Sequence, residues 1–177
     1  MINKTSDSTK YKPAAQIEIS KIISKYASAS MDTSDGLIST LDQLMRLNDV
    51  GFEITEKCEK IINDEALIYS KKLNIPSWLL LAGQHGEFEL VFTIPQNLNQ
   101  KFLTDAERNG FYPLKLGKVI QPKEVRLKLY SQLIPIDSEF IRNLPSETKG
   151  DVNHYLKLLL EYDSELKQSH EFNFTTN

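Results

Sequence analysis

Residues 29–38 read Ala29-Ser30-Met31-Asp32-Thr33-Ser34-Asp35-Gly36-Leu37-Ile38, and the character of the chain changes twice within them. The small, apolar residues 27–31 suit a short strand or a tight connector. A polar corner, residues 32–36, follows. Leu37, Ile38, Leu41, Leu44, Met45 and, at the end, Leu47 then recur at helical spacing as one stripe, and Asn48-Asp49 stops the helix. An extended segment, a corner and an amphipathic helix in succession are the material of a domain that layers helices on a sheet.

Working outward, the same alternation continues. Residues 1–12 are polar, without periodicity, and are expected to be a flexible lead-in. Pro13 opens a helical stretch, where its missing N–H costs nothing, and Ile19, Ile22, Ile23 and Tyr26 form its buried face. Residues 50–54 alternate like a short strand containing a glycine. Residues 63–73 read as a second amphipathic helix, and Pro76 starts a short third one through Leu81. Residues 88–94, Phe-Glu-Leu-Val-Phe-Thr-Ile, are the strongest strand signal, and their β-branched and aromatic content suits a sheet centre. Residues 98–108 are helical, with Asn109-Gly110 as a C-terminal stop. Residues 114–120 and 125–130 read as strands joined through Pro122 by a hairpin or a short link, and residues 133–136 add an edge piece. A last helix over 151–166 is expected to bury Val152, Tyr155, Leu156, Leu159, Tyr162 and Leu166, with 167–177 a flexible tail. The predicted class is α/β or α+β, a mixed β-sheet with helices packed on it, in one domain over 13–166.

The chain has 177 residues, 21 Lys+Arg against 24 Asp+Glu, and a formal net charge of −3. Hydrophobic residues make up 40% and charged residues 25%, which excludes a chain disordered throughout. The charge balance excludes a duplex-DNA binder that relies on a broad basic surface. A single cysteine, Cys58, allows no internal disulfide and no cysteine cluster for zinc; a reducing, cytoplasmic setting is expected. Residues 1–12 lack the apolar core of a signal peptide. The longest apolar run, residues 78–82, is far short of the roughly 20 residues a membrane span needs. Cys58 reads as a structural thiol, Trp78 as core, His154 and His170 as solvated. The Lys57/Lys60 and Lys71/Lys72 pairs read as solvated faces.

Two segments carry chemistry. In the first, Asp32 and Asp35 place two carboxylates three residues apart with Ser34 between them. Mg²⁺ prefers hard oxygen donors, commonly one or two carboxylates completed by phosphate oxygens and water. The helix that begins there turns backbone N–H groups outward, which favours an anion such as phosphate, and Gly36 permits close approach. The alternative is that Asp32 or Ser34 simply caps the helix. The second segment is Gln84-His85-Gly86-Glu87-Phe88-Glu89-Leu90, a polar turn feeding the strongest strand. Glu87 and Glu89 fall on one side of an extended backbone and Phe88 on the other, while His85 is a candidate phosphate or base partner. The alternative is a solvated turn.

In order and spacing these segments resemble the C-terminal domain of the aminoimidazole-ribonucleotide synthetase superfamily, and within it thiamine-monophosphate kinase most closely. Residues 30–37 resemble the family's Ile-Asp-x-Ser-Asp-Gly-Leu; residues 86–93 resemble its Glu-Asp-Tyr-Glu-Leu-Leu-Phe-Thr. Leu116-Gly117-Lys118-Val119 and Val125-Arg126-Leu127 resemble its Ile-Gly-Arg-Val and Val-Arg-Leu. The likeness covers about residues 12–136. It implies ATP-dependent phosphorylation of thiamine monophosphate to thiamine diphosphate, with ATP and Mg²⁺ as cofactors. By that resemblance Asp32 and Asp35 hold Mg²⁺, Ser34 and Gly36 contact the nucleotide, and Glu87 lies near the second substrate.

The sequence departs from the family pattern in three places. The family's N-terminal domain, which supplies most of the metal-binding aspartates and the dimer interface, has no counterpart in the roughly 30 residues before Asp32. Gln84-His85 stand where the family has paired glycines, and Phe88 replaces a tyrosine. The chain alone is therefore expected to lack kinase activity, since phosphoryl transfer needs several charges around the phosphates at once. A separate N-terminal domain partner, or self-association over an exposed apolar patch, is expected to complete it; nucleic acid and membrane are not expected partners. The alternatives are a stand-alone nucleotide or phosphometabolite binding module, or a fragment of another ATP-dependent member: hydrogenase-maturation, selenophosphate-forming or purine-pathway.

Overall fold

Phe52, Ile54, Val125, Leu127, Ile134 and Ile136 are buried, and the strand register puts them all on one face of a sheet. The computed structural model describes residues 15–83 and 89–171, with side chains through Ser169. The sheet has four strands in the order β4 (Gly117–Ile120), β2 (Gly51–Ile54), β5 (Val125–Leu129) and β6 (Gln132–Ile136). β2 runs antiparallel to β4 and parallel to β5, and β6 returns antiparallel to β5. The sheet is mixed and the class is α+β. The opposite face carries Glu53, Lys118, Arg126 and Lys128, as expected of a sheet with one wet side. Glu53 and Lys118 are register partners and pair at 2.9 Å. A Cβ on Gly117 would lie 1.9 Å from the carbonyl oxygen of Glu53, so only glycine lets β4 approach β2 there.

Three helices cover the apolar face. They are α2 (Leu37–Asn48), α6 (Ser138–Glu147) and α7 (Val152–Glu171), contributing Ile38, Leu41, Ile141, Leu144 and Leu159 among others to one continuous core. α3 (Cys58–Ile61), α4 (Asp64–Leu73) and a 3-10 turn at Ser77–Leu81 close one end. A second, smaller core lies under α1 (Ile17–Ile23) and α5 (Asn99–Arg108). It is aromatic: Phe92 meets Phe102 edge-on at 5.4 Å between ring centroids, and Tyr26 meets Phe102 at 5.8 Å.

β3 (Leu90–Thr93) corrects the expectation of a sheet centre. Among the described residues it pairs with β1 (Ala29–Asp32) alone, in an antiparallel ribbon. Its apolar residues serve two cores, Val91 packing against the larger and Leu90 and Phe92 against the smaller. The Pro122 segment is a link and not a hairpin, because β2 lies between the strands it joins. Leu47 and Val152, expected in buried stripes, are 73% and 66% exposed; each stands at the end of its helix, beyond the cover of the sheet. α7 continues through Glu171 where a frayed tail is expected. Pro13, His85, Glu87 and Phe88 lie outside the described residues.

Sequence reading misses α6 altogether. Asp137 caps it, its side chain accepting from the N–H of Phe140 at 2.9 Å. The helix is held to α2 by the fully buried Asp42. One Asp42 oxygen accepts from the Ser138 hydroxyl at 2.9 Å, and the other pairs with the guanidinium of Arg142 at 2.6 Å and that of Arg46 at 3.2 Å. Removing one partner of a buried pair strands the other. Asp42→Ala should therefore lower unfolding free energy by about 3 kcal/mol, whereas Ser138→Ala should cost about 1 kcal/mol. Urea denaturation of the two variants checks both values and their order.

Candidate functional site

The acidic corner joins β1 to α2, and backbone contacts fix both its ends. Asp32 is the last residue of β1 and stands opposite Leu90 of β3. The N–H of Thr33 donates to the carbonyl of Glu89 at 2.9 Å, and the N–H of Gly36 donates to the carbonyl of Thr33 at 2.8 Å. Between them Asp32 Oδ1 accepts the N–H of Ser34 at 3.0 Å. This local turn is a conformation that short acidic side chains favour.

The expected alternative, a side-chain helix cap, does not form. The residue at the cap position is Gly36, and no side-chain hydrogen bond closes the helix start. The acidic side chains are left to the surface: Asp32 and Asp35 are exposed and Ser34 is half-buried. Among the described residues Asp35 Oδ2 accepts only a long contact from Gln43, 3.5 Å. The Ser34 hydroxyl, then its backbone N–H, hold the Asp32 carboxyl below its ordinary range. Two exposed carboxylates and a hydroxyl on one loop are hard oxygen donors, chemically suited to Mg²⁺ as part of its shell. Among the described residues, no group of three or more His, Cys, Asp and Glu is disposed to hold a metal.

Gly36 has φ +89°, and a Cβ there would lie 2.4 Å from the carbonyl oxygen of Gly83. The corner is thus packed directly on the backbone that leads into the second sequence segment. Glu89 and Leu90, on that segment's far side, hold Thr33 and Asp32. The two stretches singled out from sequence, about fifty residues apart, therefore meet at their edges. Glu87 itself falls outside the described residues.

Thr40, which sequence reading misses, braces the corner. Fully buried, its hydroxyl lies 3.0 Å from the carbonyl of Asp32 and 2.9 Å from that of Gly36, spanning the loop from one end to the other. Its only signal is its place one turn after Gly36 in a helix start that is apolar but for Thr40 and its neighbour Ser39. Cys58 is buried, and burial pushes its thiol up to about 11, as suits a structural residue.

The geometry defines an α+β domain that presents an acidic strand-to-helix corner to solvent. No family model matches the chain. Over 119 residues it is 34% identical to a thiamine-monophosphate kinase of Aquifex aeolicus (strain VF5). That alignment covers 63% of this chain and 38% of the relative. The chain is thus related over part of its length to a thiamine-monophosphate kinase, and spans well under half of that protein. No helix among the described residues is long and apolar enough to cross a membrane.

Two outcomes follow from the corner. Gly36→Ala should destabilise by about 1–3 kcal/mol, because it adds a side chain at positive φ against a backbone carbonyl; Thr40→Val should lose about 1 kcal/mol and Thr40→Ser little. Denaturant midpoints test the series. The Asp32 carboxyl, with its folded pKa lowered, adds stability above its unfolded pKa that is lost as pH falls through the folded value. In a carbon-13 titration it should titrate lower than in Ser34→Ala, where the missing hydroxyl lets it rise.

Proposed function

We propose that this chain provides the nucleotide-phosphate corner of a thiamine-monophosphate kinase-like phosphotransferase. The observation that supports this reading best is the junction of the two segments, Thr33 bonded to Glu89 and Gly36 seated on Gly83, in a chain related to such a kinase. Phosphoryl transfer is mostly positioning and charge neutralisation around the phosphates. A corner locked at both ends keeps its donors in place before the substrate arrives.

In this reading Asp32 and Asp35 hold Mg²⁺ through carboxylate oxygens, and the metal supplies charge neutralisation on ATP. Ser34 offers its hydroxyl, and the open N–H groups at the start of α2 face a phosphate oxygen. Gly36 brings that helix start close to Gly83, where the second segment begins, and the resemblance assigns Glu87 of that segment to the thiamine monophosphate. Two carboxylates and one helix end are too few charges for the transfer itself. The remaining groups come from a further domain, a partner chain or a second copy.

Calorimetry with ATP and Mg²⁺ tests the reading. The 177-residue chain should bind the nucleotide in a Mg²⁺-dependent manner, and Asp35→Ala should weaken it by about tenfold or more, the loss of a charge-assisted contact. The isolated chain should not convert ATP and thiamine monophosphate to products. Binding that is indifferent to Asp35→Ala, or turnover by the chain alone, would overturn the proposal.

A further inference from the structure

Lys57, Lys71, Lys128 and Lys167 come from four different elements: the start of α3, the last turn of α4, β5 and α7. They line one cleft of about 730 Å³, with Glu59 as its one lining carboxylate. Its lining includes no residue of the acidic corner or of the second segment. Lys57 and Lys71 are exposed, as expected of solvated faces, and the fold brings them to the walls of the same opening.

The cations are not equivalent. Lys167 pairs with the buried carboxylate of Asp163 at 2.7 Å. Burial pushes that carboxyl up, but hydrogen bonds from Lys167, Tyr130 and Trp78 outweigh it and hold it low. Asp163 is therefore ionised and neutralises Lys167. Lys57, Lys71 and Lys128 form no ion pair among the described residues; Lys128 acts on Glu56 only at longer range. Glu59 is engaged by the Ser77 hydroxyl at 2.9 Å. Three lysines without an ion pair therefore line the cleft, set against the single charge that Glu59 keeps.

The rim also contains a costly turn. Tyr130 and Ser131 connect β5 to β6 as a two-residue loop with φ of +49° and +66°, conformations for which Asn-Gly is the inexpensive choice. Tyr130 is held there by its hydroxyl bond to Asp163 and by Lys167 over its ring, 5.5 Å from the centroid. Strained backbone held in place by its surroundings concentrates at ligand sites.

We infer that this cleft binds a diphosphate group, free or carried on a small molecule, through Lys57, Lys71 and Lys128. A diphosphate offers two linked phosphoryl groups to lysines that stand on three different elements. Lysine suits the task as a mobile point charge that meets phosphate oxygens without a fixed fork geometry.

Titration of the chain with inorganic pyrophosphate, with chelator present to remove Mg²⁺, tests the site. Saturable binding with Kd below about 1 mM is expected, with orthophosphate weaker and raised salt weakening both. The triple variant Lys57→Gln, Lys71→Gln, Lys128→Gln should lose at least about tenfold in affinity. Lys25→Gln, Lys60→Gln, Lys72→Gln, with the same net charge but lysines outside the cleft, should bind as the parent does. Asp35→Ala should leave pyrophosphate binding unchanged, which separates this site from the acidic corner. Matching melting temperatures establish that the variants are folded. If pyrophosphate fails to saturate, or if the two triple variants bind alike, the site does not exist. If Asp35→Ala alone abolishes binding, the anion sits at the corner and the inference falls. A nucleoside diphosphate that binds more tightly than pyrophosphate, and is lost in the cleft variant, assigns the ligand as an ester; equal affinity assigns it as the free anion.

Discussion

The position of α2 depends on a carboxylate that the solvent does not reach. Asp42 is at the middle of the helix, with one oxygen on Ser138 and the other between Arg142 and Arg46. A buried ion needs opposite charge beside it: Oδ1 is hydrogen-bonded to Ser138 and Oδ2 is charge-paired with two guanidinium groups without a hydrogen bond, and these partners come mainly from α6. Two helices far apart in sequence are thereby set in one register over the sheet. Isolated apolar contacts would allow them to slide; a charge with fixed partners does not.

The acidic corner inherits its location from that helix. With α2 fixed, the Thr40 hydroxyl reaches back to the carbonyls of Asp32 and Gly36, and Gly36 can press against Gly83 only because it lacks a side chain. Placement of the exposed aspartates is thus the result of buried contacts one and two turns further along the chain. The same economy operates at Gly117, where removal of a side chain allows two strands to close.

Much of this was legible before any coordinates. The stripe Leu37, Ile38, Leu41 and Leu44 identifies α2, because one-sided burial writes its period into the sequence. Asn63 and Gly110 marked a start and a stop through local backbone chemistry, which travels with the residue. The stretch around Phe92 was a strand but not a central one, since hydrophobicity reports burial without saying which core does the burying. α6 was invisible because its cap, Asp137, precedes a short helix interrupted by Pro145. Asp42 and Thr40 do not stand out in the sequence, because a polar residue on a helix reads as solvated until its tertiary partners are known. In the site, the two motifs stand out by their residue types, but their meeting, like that of the four lysines around the cleft, depends on tertiary structure; the lysines are separated by up to 110 positions.

The β1–β3 ribbon has Met31 and Val91 in contact with the larger core and Leu90 and Phe92 with the smaller. It is a seam between two apolar bodies and belongs wholly to neither. Regions with separate cores open as separate cooperative units. The loop at the end of the ribbon is therefore braced from two sides, by α2 and by the aromatic cluster under α1 and α5. Substitutions beneath those helices, remote from any acidic residue, can slacken the corner while the four-stranded sheet stays intact.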